Sequence, residues 1–203
     1  LVLRSSCDLR DTMETMTVFR SRFGRVFSVV TWVVLAVAEA PVVGDTLGLL
    51  RSLPLATLIG FTVWAAFWRP VLRVDDSGLH VRNVIADYDI EWGAIHQVDT
   101  KWGLTIFTEL GRVSVWAAPA PGRHAAFTAS RDQGQHLPES TYVSGTVRPG
   151  DLATTESGAA AALIRRRWES RLGESGLATR RYSVGVLVAF GVLVVAAAAG
   201  LSF

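Results

Sequence analysis

The chain has a single cysteine among its 203 residues, and Lys101 is its only lysine. Cys7 alone can form neither an internal disulfide nor a cysteine-based zinc site, and a polar N-terminal stretch is a poor place for an activated thiol. The four histidines, His80, His96, His124 and His136, show none of the close His/His or His/Glu spacings of metal-site motifs. There is no P-loop, no G-x-S-x-G, no H-E-x-x-H and no dinucleotide fingerprint. The carboxylate pairs Asp75/Asp76 and Asp87/Asp89 lie in turn and strand contexts, where solvation and turn chemistry explain them better than acid–base work. The expectation is a protein that is not an enzyme and holds no metal or cofactor. The formal charge is only +2, so no global field favours nucleic acid. The arginine bias is mainly compositional, although a guanidinium also suits phosphate headgroups because it binds them bidentately.

What the chain does have is apolar residues, 50% of the total against 19% charged. They concentrate in three blocks, which points to membrane segments rather than a greasy core. Residues 26–43 carry one charge, Glu39, and follow Arg20, Arg22 and Arg25. A cleaved signal peptide is the rival reading, with Ala38-Glu39-Ala40 as its exit, but a second apolar block at 46–68 follows at once. Gly44-Asp45 is the only turn signal between the two, so a helical hairpin over 19–68 is expected. Glu39 and Arg51 would then sit at similar depth, either paired or each reaching water. Residues 183–203 carry no charge and are the clearest transmembrane helix. Arg69, Arg73, Arg180 and Arg181 flank the second and third blocks. Under the positive-inside rule these clusters put the N-terminus and the region 69–180 in the cytoplasm and the C-terminus outside, in a multi-pass cell-membrane protein. Small residues four apart, Ala36/Ala40, Ala56/Gly60 and Ala196/Gly200, permit close helix contact within the bundle or between copies. Residues 1–18 are polar and expected to be disordered; Met13 or Met16 would serve as an alternative start, making 1–15 an over-extended beginning.

Between the blocks, residues 69–118 hold a dense run of strand signals. Leu72 and Val74 alternate with Arg73, then Asp75, Asp76, Ser77 and Gly78 form a turn. Leu79 and Val81, Tyr88 and Ile90, Ile95 and Val98, Leu104 and Ile106, and Val113 and Val115 mark further segments. About six short strands joined by tight turns predict an antiparallel meander closing toward a small barrel or sandwich. Residues 119–150 are rich in Pro, Gly, Ser and Thr and read as a mobile loop, with Tyr142 and Val143 as a late strand. Residues 151–172 read as an amphipathic helix, capped by Asp151 and Gly173. Ala161, Ile164, Trp168 and Leu172 form its apolar stripe, and Arg165, Arg166, Arg167 and Arg171 occupy much of the remainder. That helix packs on the barrel, lies on anionic lipid, or does both. Residues 173–179 read as a linker.

The R-P entry at Arg69 and Pro70, the D-D-S-G-L turn, the I-x-W-x-x-I-x-x-V run from Ile90 to Val98 and the closing V-S-x-W-A-A-P-A-P-G-R from Val113 to Arg123 carry a family likeness. In these elements the chain resembles the bacterial pleckstrin-homology (PH)-like domains. The nearest group is that of small actinobacterial membrane proteins typified by the low-molecular-weight protein antigen. The resemblance implies a partly open β-barrel capped by a C-terminal helix. PH domains that bind phosphoinositides usually carry basic residues in the first hairpin loop; here that loop is acidic and repels phosphate. Candidate lipid or partner contacts are Arg69, Arg73, Arg123, His124, Arg165, Arg166, Arg167, Arg171, Arg180 and Arg181. The function expected is a non-enzymatic adaptor tethered to the membrane, in contact with lipids and with another membrane or envelope protein. The alternatives are a sensor of anionic lipid through the segment 165–181 and a subunit of a transport complex.

Overall fold

The computed structural model describes residues 16–119, 142–143, 146–147 and 155–202. Three helices are long and apolar enough to cross a membrane: 21 residues over Arg22–Val42, 23 over Thr46–Trp68 and 19 over Val184–Ser202. At ~1.5 Å rise per residue each matches a hydrocarbon core of ~30 Å. Helix α1 (Arg22–Glu39) starts where the Ser21 hydroxyl accepts from the Gly24 amide, and Asp45 caps α2 (Thr46–Val63) in the same way through the Leu47 amide. Helix α2 continues into a π-helical turn over Trp64–Trp68 and packs against α1 on one side and the last helix on the other. On the first side Trp32 Nε1 donates to the Gly60 carbonyl oxygen at 3.2 Å. On the second, Gly200 packs against the backbone at Leu50 and Arg51. Two of the small-residue positions thus serve contacts inside the bundle. Glu39 Oε2 accepts from Ser52 Oγ at 2.7 Å, which holds the carboxylate across the hairpin.

All six strand segments expected between 69 and 118 form: β2 (Val71–Val74), β3 (Gly78–Arg82), β4 (Ala86–Glu91), β5 (Gln97–Asp99), β6 (Gly103–Thr108) and β7 (Gly111–Pro119). They do not close into a barrel. Two further strands take the edges of the first sheet: β1 (Thr17–Phe19) pairs with β2, and the strand Ala178–Tyr182 pairs with β4, giving a five-stranded sheet. With its edge occupied over five residues, β4 cannot pass its ladder on to β5. The chain instead turns through a short helix at Trp92–Ala94 and starts a separate three-stranded sheet, β5-β6-β7. Tyr142–Val143 (β8) and Thr146–Val147 (β9) form a small hairpin of their own, which makes the strand Ala178–Tyr182 β10.

These edge strands correct two readings. The stretch 173–179 is not simply a linker, since Ala178 and Thr179 are strand, and the residues before the first helix are partly strand. Strand β1 runs into α1 (Arg22) within three residues of Phe19, β2 begins three residues after Trp68, and β10 ends two residues before the last helix, α4 (Val184–Ser202). Three of the five strands are therefore continuous with a span.

The two sheets face each other over one core. Leu72, Val81 and Ile90 come from the first sheet, and Leu104, Ile106 and Val113 from the second. Helix α3 (Glu156–Glu169) closes the open side by burying Ala160, Ala161 and Ile164 completely. Its cap is Thr155, whose Oγ1 accepts from the Gly158 amide at 3.0 Å, rather than Asp151, which lies outside the described residues. Asn83 bridges the seam between the sheets: its Nδ2 donates to the Ser114 carbonyl oxygen, and its Oδ1 accepts from the Trp116 amide. This satisfies β7 backbone groups that a closed barrel would pair with a strand.

Where β4 leaves the first sheet, the chain passes so close to the segment before β10 that a side chain has no room. A Cβ on Gly93 would lie 2.3 Å from the Glu174 carbonyl oxygen and 2.6 Å from the Gly176 nitrogen. Both neighbours are backbone and cannot swing aside. Gly93→Ala is expected to destabilise the fold by about 1–3 kcal/mol, seen as a lower melting midpoint of the purified chain, whereas Gly191→Ala, in the helix Val184–Ser202 with open space around its Cβ position, leaves the packing intact.

Candidate functional site

Strand register sorts the polar residues of the first sheet. Leu72, Val81 and Tyr88 form one cross-strand row, Val74, Leu79 and Ile90 another, and both face the core. The intervening rows face away from it: Arg82, Asp87 and Arg181 in one, Arg73, His80, Asp89 and Thr179 in the other. All of these but Thr179 line a shallow concavity of about 240 Å³. His80 joins two carboxylates, with Nδ1 2.6 Å from Asp89 Oδ1 and Nε2 2.9 Å from Asp75 Oδ2. Arg82 Nε lies 3.6 Å from Asp87 Oδ2. Arg73 Nε is buried and meets no hydrogen-bond partner within the described residues, so a donor is held in this face at a cost of desolvation.

Arg69 sits behind the row that begins at Val71. Its side chain is about one-tenth exposed. One terminal nitrogen donates to the Val84 carbonyl oxygen at 3.2 Å; the other donates to Asp87 Oδ1 at 3.0 Å and to Ser183 Oγ. This arginine is a structural tie between the end of α2, the β3–β4 turn and the start of α4.

The acidic turn has two functions. Asp75 Oδ1 accepts from the Ser77 amide, the Ser77 hydroxyl and the Gly78 amide, the pattern of a side-chain-closed turn. Burial alone pushes the Asp75 carboxyl up, but the Ser77 hydroxyl, the Gly78 and Ser77 amides and the His80 charge outweigh it and hold the pKa below the ordinary 3.8. Asp76 docks α3: Arg171 Nη1 donates to its carbonyl oxygen at 2.6 Å, and Arg167 and Arg171 approach its carboxylate at 3.8 and 3.6 Å. The Arg171 guanidinium also stacks 5.5 Å from the centre of the buried Trp92 ring, whose Nε1 donates to the same carbonyl.

The candidate arginines thus fall into separate places. Arg73 on β2 and Arg181 on β10 both line the outward sheet face, three strands apart. Arg165 reaches the Val98 carbonyl oxygen, and Arg167 and Arg171 hold the acidic turn, while Arg166 is exposed. Arg180 stacks on Tyr182 at 4.7 Å, on the opposite face of β10 from Arg181. Arg123 and His124 lie outside the described residues. The segment 165–181 therefore does not form one continuous basic surface. Sequence reasoning had placed Asp87 and Asp89 on a solvent-facing side but missed that His80, Asp89 and Arg73 share a row. The alternation of each strand held that information; the register between strands did not show in any one of them. Among the described residues no group of three or more His, Cys, Asp or Glu could hold a metal ion.

Residues 69–151 match the family model described as Bacterial PH domain. That stretch is similar to the bacterial PH domains. Neither the curated proteins nor the solved structures gave a match. The PH-like match ends before α3, yet α3 completes the same core, and β1 and β10 extend its first sheet on both sides.

The Asp75 turn yields a pH dependence whose sign is fixed. A carboxyl with a depressed folded pKa contributes stability that is complete above its unfolded value and is lost as pH falls through the folded one. The melting midpoint of the chain should therefore fall as pH drops below 3.8. Asp75→Asn should lower the midpoint at neutral pH and flatten that acid limb.

Proposed function

We propose that this chain is a non-enzymatic membrane adaptor, of the low-molecular-weight protein antigen type, whose PH-like domain presents the outward face of its first sheet to another membrane or envelope protein. The observation that carries the reading is the state of that face. It is concave, mixed in charge and contains Arg73 Nε, a buried donor without a partner among the described residues. A partner's carbonyl or carboxylate would satisfy that donor. Interleaved Asp87 and Asp89 disfavour a bare phosphate but suit a protein surface with both signs of charge.

The domain's position supports the same reading. Strands β1, β2 and β10 lead into spans, so any partner must lie within reach of the membrane. The sheets lie at the cytoplasmic side in this proposal, because Arg20, Arg22, Arg25, Arg69, Arg180 and Arg181 all flank the helix ends nearest the sheets, and Arg51 lies near the other end of α2. A sensor of anionic lipid through 165–181 has less support, since Arg167 and Arg171 are engaged with Asp76.

The test is a photo-crosslinking side chain placed at Thr179, exposed in the same row as Arg73, and activated in cells. A discrete protein adduct is expected, and Arg73→Glu should abolish it while the chain stays in the membrane at its normal level. Adducts with lipid alone would refute the adaptor role.

A further inference from the structure

An apolar groove of about 300 Å³ lies away from the charged sheet face, between the foot of the helical hairpin and the β6–β7 hairpin. Phe23 and Gly24 contribute from the first turn of α1, and Phe67 from the last turn of α2. Opposite them stand Ser114 and the tryptophans Trp102 and Trp116. We infer that this groove holds the acyl chain and glycerol region of a bilayer lipid from the leaflet on the sheet side, and that the two tryptophans set that end of the hairpin into the headgroup layer.

Depth is the first argument. The first span is 21 residues long, which at ~1.5 Å per residue equals the thickness of the hydrocarbon core. Its first turn therefore lies where acyl chains give way to headgroups, and so does the last turn of α2, which runs the other way. A groove floored by those two turns opens at that boundary.

The second argument is what stands at the rim. Trp102 is 77% exposed and Trp116 54%. Along β7 the outward positions change from Arg112 through Ser114 to Trp116 toward the end that meets the spans, while the inward Val113, Val115 and Ala117 stay buried. Indole rings, apolar in body with one polar N–H, are the side chains enriched at membrane interfaces. Lys101 lies 5.9 Å from the centre of the Trp102 ring, so a cation accompanies the ring at headgroup level.

Continuity identifies the occupant. Phe23 is 70% exposed, and the exposed apolar surface continues from it along α1 through Val26 and Phe27. Lipid covers that surface in a membrane, and the groove is its direct extension. This inference stands whether or not the outward sheet face binds a protein.

The uniqueness of Cys7 makes the test clean. In a Cys7→Ser background, Ser114→Cys places an environment-sensitive fluorophore in the groove, and Leu110→Cys places one at the exposed turn at the other end of the hairpin. The full chain is reconstituted into phosphatidylglycerol brominated near the glycerol end of its acyl chains. Lipid in the groove gives a blue-shifted emission at Ser114→Cys and quenching several-fold stronger than at Leu110→Cys. Adding Trp102→Ser with Trp116→Ser, in a variant that melts like its parent, should remove most of that difference. Weak quenching and water-like emission at both positions would overturn the inference, because the groove would be open to solvent. Blue-shifted emission without bromine quenching would also overturn it, because a protein segment or a second copy would then fill the site.

Discussion

The guanidinium of Arg69 is the interaction on which the rest of the arrangement depends. It is nearly buried, and it joins the end of α2 to the β3–β4 turn, to Asp87 on β4 and to the residue that opens α4. A charge in such a place is tolerable only while its partners are present. The tie fixes where two spans emerge relative to the sheet.

The same junction explains why the sheets stay open. A small barrel closes when its edge strands find each other. Here the edges of the first sheet are taken by β1 and β10, strands that lead directly into α1 and α4. Closure is exchanged for attachment to two of the long apolar helices. The second sheet then covers the core from the other side, α3 seals the gap, and Asn83 satisfies the backbone at the seam. The acidic turn belongs to this junction as well: the carboxylate of Asp76 is occupied by Arg167 of α3 and by Arg171 just beyond it.

Much of this was legible in the sequence. Three apolar blocks gave three helices, and alternation over 69–118 gave six strands, because burial on one face writes itself into every second residue. The missed strands have no such record. Ala178–Tyr182 reads ATRRY, mostly exposed, and is a strand only because β4 offers it an edge. Thr17–Phe19 is three residues long and depends in the same way on β2. The helix over 151–172 was recognised by its stripe but begins at Glu156, since Thr155 offers the capping hydroxyl. For the site, single residues were visible and their neighbours were not. Arg73 was a candidate from its flanking position; its row with His80 and Asp89 came from register, which pairs strands across turns that the sequence does not measure. Arg167 and Arg171 read as packing or as lipid contacts, and only their meeting with Asp76 decides where they point.

The central claim is that domain and spans form one body, with β10 a true strand and no loose tether. Amide hydrogen exchange of the full chain in a lipid nanodisc tests it most directly. The account predicts that amides of β10 which donate to β4 exchange about as slowly as those joining β3 to β4. Rapid exchange throughout 173–182, beside a protected β2–β4 core, would contradict it and leave a domain hung on a flexible connection.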